Sequence, residues 1–189
     1  MGDWLAAFGK PSTNGIWLIW GLEKNGKTSL ALKLAEYLSG FGKTLYVSAE
    51  EGTDLEFAES IKRMNLSTSN RNLHFLEYIS IVELTKKLYS KKSADIIFLD
   101  NMTIYSDELT GSKLKEMLRK FPKKLFVLLS HEERNLPFPA VSRMASKLAK
   151  RIVHVKGLAC EVYGRGNAGG TLMIDENRAM IYHGIDITN

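Results

Sequence analysis

Five short apolar runs punctuate the chain, at residues 16–20, 44–48, 95–99, 125–129 and 152–155. Each is nearly continuous rather than alternating, the pattern of a strand covered on both faces. Between them the apolar positions take helical spacing. Leu30, Leu32, Leu34, Ala35 and Leu38 follow the first run, and Phe57, Ile61 and Met64 share one helix face. Val82, Leu84 and Leu88 define another, while Leu114, Met117, Leu118 and Phe121 form a set that Pro122 stops. A weaker strand is predicted over 73–76. Strand alternating with helix predicts an α/β fold with a central, mostly parallel sheet flanked by helices.

Beyond residue 157 the rhythm changes. Segments 159–164, 170–175 and 178–183 are separated by a Gly-rich stretch and by Asp175-Glu176-Asn177-Arg178, which predicts a C-terminal antiparallel β meander. No domain boundary or repeat interrupts residues 1–189, so one domain is expected, with a loosely held tail from His183 onward.

Composition narrows the class. One cysteine, Cys160, excludes an internal disulfide framework, and its apolar neighbours predict a buried side chain. No apolar stretch approaches the ~20 residues of a membrane-spanning helix, and no secretory signal is visible, so a cytoplasmic location without a membrane partner is expected. The net charge of +5 is concentrated in two clusters. One is Lys113, Lys115, Arg119, Lys120, Lys123 and Lys124, opposed by Glu116; the other is Arg143, Lys147, Lys150, Arg151, His154 and Lys156. Each suits nucleic-acid phosphates or the solvated face of a surface helix.

Between the first apolar run and the first helix lies Gly21-Leu22-Glu23-Lys24-Asn25-Gly26-Lys27-Thr28, the pattern G-x-x-x-x-G-K-[ST] in a strand–loop–helix context. Backbone N–H groups of Gly21, Glu23, Lys24, Asn25, Gly26 and the first helical residues, Ser29 included, are expected to cradle phosphate oxygens. Lys27 would reach the β- and γ-phosphates, and the Thr28 hydroxyl would hold Mg²⁺. A nucleoside triphosphate is the predicted ligand.

Other strand ends carry the remaining chemistry. Asp100 closes an apolar run as a Walker B carboxylate, suited to a Mg²⁺-bound water beside Thr28, whereas Asp95 at the opposite end reads as a surface residue. Glu50 and Glu51 end the second run, beyond the carboxyl edge where such sheets bind ligands. Glu50 is predicted to activate water, with Glu51 supporting it or contacting Mg²⁺; the alternative is a helix-start pair before Gly52-Thr53-Asp54. His131, after the fourth run, can hydrogen-bond a γ-phosphate, while His74, His154 and His183 read as incidental. Arg165, in a Gly-rich turn, either reaches another subunit's triphosphate or is a plain turn residue.

Together these residues resemble the RecA-type P-loop NTPase core, especially the branch of the bacterial RadA/Sms recombination protein, DnaB-type helicases and KaiC proteins. Leu45-Tyr46-Val47-Ser48-Ala49-Glu50-Glu51-Gly52 is similar to the RadA/KaiC segment that carries the family's catalytic glutamate, and Ser130-His131 resembles its sensor position. Tyr163-Gly164-Arg165 resembles the finger turn, with tyrosine in place of the usual lysine, and Lys150 replaces a family aspartate. The likeness spans about residues 12–183 and leaves no room there for the accessory domains of longer relatives. It implies ATP and Mg²⁺ as ligands, hydrolysis of ATP to ADP and phosphate, and a role in DNA recombination, repair, replication or mobile-element processing. DNA, single- or double-stranded, would meet the loops 101–112 and 132–141. It also implies a homo-oligomer or another protein partner. The alternative is a KaiC-like nucleotide switch that binds a protein with little DNA-dependent hydrolysis.

Overall fold

A helix that the apolar pattern did not announce, α1 (Gly2–Phe8), precedes the first strand. The computed structural model describes residues 2–67, 69–164 and 169–183. The first apolar run becomes β1 (Gly15–Gly21), followed by α2 (Lys27–Ser39), β2 (Thr44–Ser48), α3 (Leu55–Arg63) and β3 (Leu73–Glu77). Then come α4 (Ile81–Leu88), β4 (Ile96–Asp100), α5 (Gly111–Lys120), β5 (Leu125–Glu133), β6 (Leu136–Phe138) and α6 (Ala140–Leu148). The chain continues through β7 (Arg151–Lys156), β8 (Ala159–Tyr163), β9 (Gly170–Met173) and α7 (Glu176–His183).

The strands form one sheet in the order β3-β2-β4-β5-β1-β7-β8-β9, with β6 paired to β5. From β3 to β7 every neighbouring pair is parallel; β7, β8 and β9 run antiparallel. Continuous apolar runs were the correct sign of two covered faces. Trp17 and Ile19 of β1 face the cluster that holds α2, whereas Ile16, Leu18 and Trp20 face the cluster built with α4, α5 and α6. Helix starts are set locally: Ser80 and Glu83 form a capping box on α4, and the Thr110 hydroxyl accepts from Lys113 N on α5.

Two expectations change. The segment 178–183, read as the third strand of the meander, lies in α7. The Ala179 N–H bonds Asp175 O at 2.8 Å, and acidic Asp175 and Glu176 suit a helix N-terminus. Ala179 is buried whereas Ile181, two residues on, is exposed, so the two-residue alternation of a half-buried strand is absent. The loop expected over 132–141 is a hairpin instead. β5 runs on to Glu133 and turns through Arg134 and Asn135, at φ 53° and 59°, into β6.

Part of the second basic cluster is structural, while Arg143, Lys147 and Lys156 are exposed. Arg151 is buried with Nε donating to Phe8 O at 2.9 Å, and Lys150 Nζ donates to Ser12 Oγ at 2.7 Å and to Asn14 Oδ1. Cys160 is buried on β8, and burial pushes its thiol up to about 12. Among the described residues no helix is long and apolar enough to cross a membrane.

Candidate nucleotide site

The phosphate loop is shaped by contacts with a distant turn. Gly21 pairs with Val155 of β7 so closely that a Cβ would stand 2.1 Å from the Val155 carbonyl oxygen, so only glycine fits. Asn25 fastens the loop to the β7–β8 turn. Its Oδ1 accepts from Gly157 N at 2.6 Å, its carbonyl accepts from Leu158 N at 3.2 Å, and its Nδ2 donates to Glu23 O at 2.8 Å. Gly26 sits at φ 96° as the N-cap of α2, with no side-chain cap. The first-turn N–H groups of a 13-residue helix, those of Thr28 and Ser29 among them, therefore face the loop as free donors.

Lys27 opens α2, buried to 8% exposure, and Nζ donates to Leu22 O at 2.7 Å. Burial lowers its pKa, while the carboxylates of Asp100, Glu50, Glu23 and Glu132 oppose that shift. Four acids around one lysine favour a phosphate group that arrives with a cation. Asp100 lies at the end of β4, hydrogen-bonded by the Thr28 hydroxyl and, at 2.6 Å, by Tyr46 Oη. Burial raises its pKa to about 6 despite those two bonds, and the Glu51 and Glu50 charges add to the rise. A buried, costly carboxylate touching the loop threonine is chemistry that fits Mg²⁺. Thr28 and Asp100 would hold the ion; among the described residues no group of three or more His, Cys, Asp or Glu side chains could hold a metal, so phosphate oxygens and water would complete the shell.

Glu50 is brought to the same place by the sheet. Ala49 N and Glu50 N both donate to Asp100 O, at 2.6 and 3.3 Å, so the turn after β2 lies across the end of β4. Asp54, whose Oδ1 accepts from Phe57 N at 3.1 Å, caps the start of α3. The acidic pair is not that helix's cap.

A residue absent from the sequence-based set joins these groups. Asn101 is 1% exposed, and its Oδ1 accepts from Thr103 N at 2.8 Å, which directs its NH₂ toward Glu50 and His131. That NH₂ donates to Glu50 Oε2 and lies 2.8 Å from His131 Nε2. An amide nitrogen is only a donor, so Nε2 accepts and the ring proton rests on Nδ1. Nδ1 is buried without a partner, 4.0 Å from Glu23 Oε1. An orphaned N–H beside the phosphate loop fits an incoming oxygen.

His154 has a defined structural place. It stacks on Trp20 with centroids 4.0 Å apart, and Nε2 lies 2.9 Å from Glu132 Oε2, one strand from the loop. Asp95 lies at the far, amino edge of the sheet, where Oδ2 accepts from Lys43 N at 3.2 Å. Arg165 lies outside the described residues. The only sequence signal for Asn101 was its place directly after a strand-end acid, where polar residues are common. Asn25 was expected to offer its backbone; its side-chain role required the β7–β8 turn to be located.

No protein-family model matches the chain, and no curated protein matches it. Solved structures do. The flagellar accessory protein FlaH from Methanocaldococcus jannaschii superposes with a TM-score of 0.62 at 18% identity, covering 88% of each chain. The ATPase domain of G40P gives 0.61 at 16% identity over 91% of this chain and 84% of that one. At such identities the likeness establishes the fold, a RecA-like P-loop architecture, and not one branch of it.

Proposed function

We propose that this chain binds ATP with Mg²⁺ and hydrolyses it to ADP and phosphate, coupling turnover to a DNA transaction. The observation that carries the reading is the convergence of Glu50, Asn101 and His131 beside Lys27 and Asp100. Lys27 neutralises charge on the terminal phosphates, and Thr28 with Asp100 holds the cation, which when bound offsets phosphate charge. Glu50 accepts a proton from water, and the Asn101 amide holds that carboxylate in place. His131 offers its Nδ1–H to a phosphate oxygen. Adenine and the DNA role are supported by the sequence resemblance; the match to an ATPase domain agrees with hydrolysis.

The test is phosphate release from ATP with and without DNA. Glu50→Gln should keep nucleotide affinity within about threefold and lose roughly 10²–10³ in turnover. Turnover close to the parent's would end the assignment.

The β5–β6 hairpin favours a second reading. Phe138 pairs with His131 across it, and Leu136 and Phe138 are both exposed, beside Glu132 and Glu133. Exposed apolar side chains on the hairpin that carries His131 suit a protein partner, as in a nucleotide-dependent switch. ATPase activity indifferent to DNA would select it.

A further inference from the structure

A strand covered on both faces calls for apolar side chains, yet β2 carries an oxygen into the core. Tyr46, in the middle of Thr44-Leu45-Tyr46-Val47-Ser48, is 0% exposed. A phenylalanine would fill nearly the same space without burying a hydroxyl, which costs free energy unless it is bonded. The register decides where that oxygen goes. Tyr46 lies opposite Phe98 and Ser48 opposite Asp100, so Tyr46 and Asp100 are diagonal neighbours on one face of adjacent parallel strands. Tyr46 Oη donates to Asp100 Oδ2 at 2.6 Å, the short bond of a hydroxyl to a carboxylate.

Rings from three other elements hold the phenol still. Tyr46 stacks on Phe98 of β4 with centroids 5.4 Å apart, and it is tilted against Phe57 of α3 and Phe75 of β3 at 6.3 and 5.9 Å. Phe57 and Phe75 meet edge to face at 5.5 Å. Enclosed in this way, the ring keeps its oxygen on Asp100. The turn after β2 also holds the main chain of Asp100, whose carbonyl accepts from Ala49 N and Glu50 N. The carboxylate therefore meets the Thr28 hydroxyl with its backbone and its side chain both fixed by β2 and the turn that follows.

Rigidity at that carboxylate matters differently to different ions. Mg²⁺ demands near-ideal octahedral geometry, whereas Ca²⁺ accepts flexible shells of varied ligand number. Groups that hydrogen-bond a metal-binding side chain orient it, and losing one costs about 10- to 100-fold in metal affinity. A fixed carboxylate serves the exacting ion more than the tolerant one. A hydroxyl that only satisfied a buried acid would matter equally to both.

We propose that Tyr46 is a positioning residue for the cation: its hydroxyl fixes the Asp100 carboxylate in the orientation Mg²⁺ requires, and so sets the preference of the site for Mg²⁺ over Ca²⁺. The inference deepens the nucleotide reading above and rests on its assignment of Thr28 and Asp100 to the cation. The experiment measures binding of a fluorescent, non-hydrolysable ATP analogue in EDTA and across Mg²⁺ and Ca²⁺ concentrations. It is run at about pH 8.5, well above the titration of Asp100. The parent should need less Mg²⁺ than Ca²⁺ for half-maximal enhancement of binding. Tyr46→Phe should raise the Mg²⁺ requirement about tenfold and the Ca²⁺ requirement less than about threefold, with the affinity in EDTA unchanged. In an Asp100→Asn background the same change should shift neither requirement, since Tyr46 acts through that carboxylate. Unchanged melting establishes that Tyr46→Phe is folded; if it is not, Phe75→Leu, which opens one wall around the ring, takes its place with the same direction expected. The proposal is overturned if both requirements rise together, if neither moves, if the parent does not prefer Mg²⁺, or if the shift persists with Asp100→Asn. A parent that binds no analogue overturns the nucleotide reading and the proposal with it. A parent that binds, matched by Tyr46→Phe in both ions, overturns the proposal alone.

Discussion

Nδ2 of Asn101 lies 2.8 Å from Nε2 of His131, and the Thr103 N–H on the other end of the amide leaves it no alternative orientation. One side chain thus sets both the tautomer of the imidazole and the position of the Glu50 carboxylate. Asn101→Asp keeps the shape and reverses the chemistry: an acceptor faces Glu50, and Nε2 gains reason to carry the proton. Turnover should fall by roughly 10²-fold with nucleotide affinity nearly unchanged. Long-range ¹H–¹⁵N spectra of the His131 ring should report the Nδ1–H form in the parent and its loss in the variant. The Nε2–H form in the parent would refute the arrangement.

Asp100 supplies the pH dependence. Its folded pKa of about 6 lies above the ordinary carboxylate value, so the native state holds this proton more tightly than the unfolded chain does. The stability it contributes is full at low pH and lost as pH rises from about 4 to about 6. Asp100→Asn should therefore melt higher than the parent at pH 8, by ~1–3 kcal/mol in stability, and nearly level with it at pH 4. Titration calorimetry should show Mg²⁺-dependent nucleotide binding strengthening through pH 6 in the parent and weak throughout in the variant. A lower melting point for the variant at pH 8 would contradict this.

Gly21 and Gly52 separate two reasons for glycine. A Cβ at Gly21 meets the backbone oxygen of Val155, while Gly52, at φ 71°, has nothing within 4 Å of an added Cβ. Gly21→Ala must displace β1 from β7 and should cost ~3 kcal/mol or more. Gly52→Ala carries only the left-handed backbone penalty, ~1 kcal/mol. Urea unfolding of both variants measures the difference, and equal costs would refute the close approach at β7.

Asn25→Ala removes the clamp between the phosphate loop and the Gly157–Leu158 turn. Nucleotide affinity should fall roughly five- to tenfold, since a buried backbone donor at Gly157 loses its acceptor, a cost of ~1–2 kcal/mol. Hydrogen exchange at Gly157 and Leu158 should quicken at the same time. Faster exchange with unchanged affinity would make the clamp purely structural.

The buried strands, the loop pattern and the acids at strand ends were legible in the chain because they are local. A doubly covered strand must be apolar throughout, a phosphate loop needs its glycines at set intervals, and a helix face repeats every three to four residues. The sequence by itself thus determined the layered fold and singled out Lys27, Thr28, Glu50, Asp100 and His131 as candidates. What it left open depends on strand order. Only the tertiary structure placed β7 beside β1, and with it Val155 against Gly21, Gly157 on Asn25, and His154 between Trp20 and Glu132. It alone turned Asn101 into the link between Glu50 and His131, which join β2, β4 and β5 at a point where their sequence neighbours carry no shared pattern. It also made 178–183 a helix, because that decision rests on whether a neighbouring face is present to cover alternate side chains. Hydrophobic spacing records which residues are hidden; the partner that hides them comes from elsewhere in the chain.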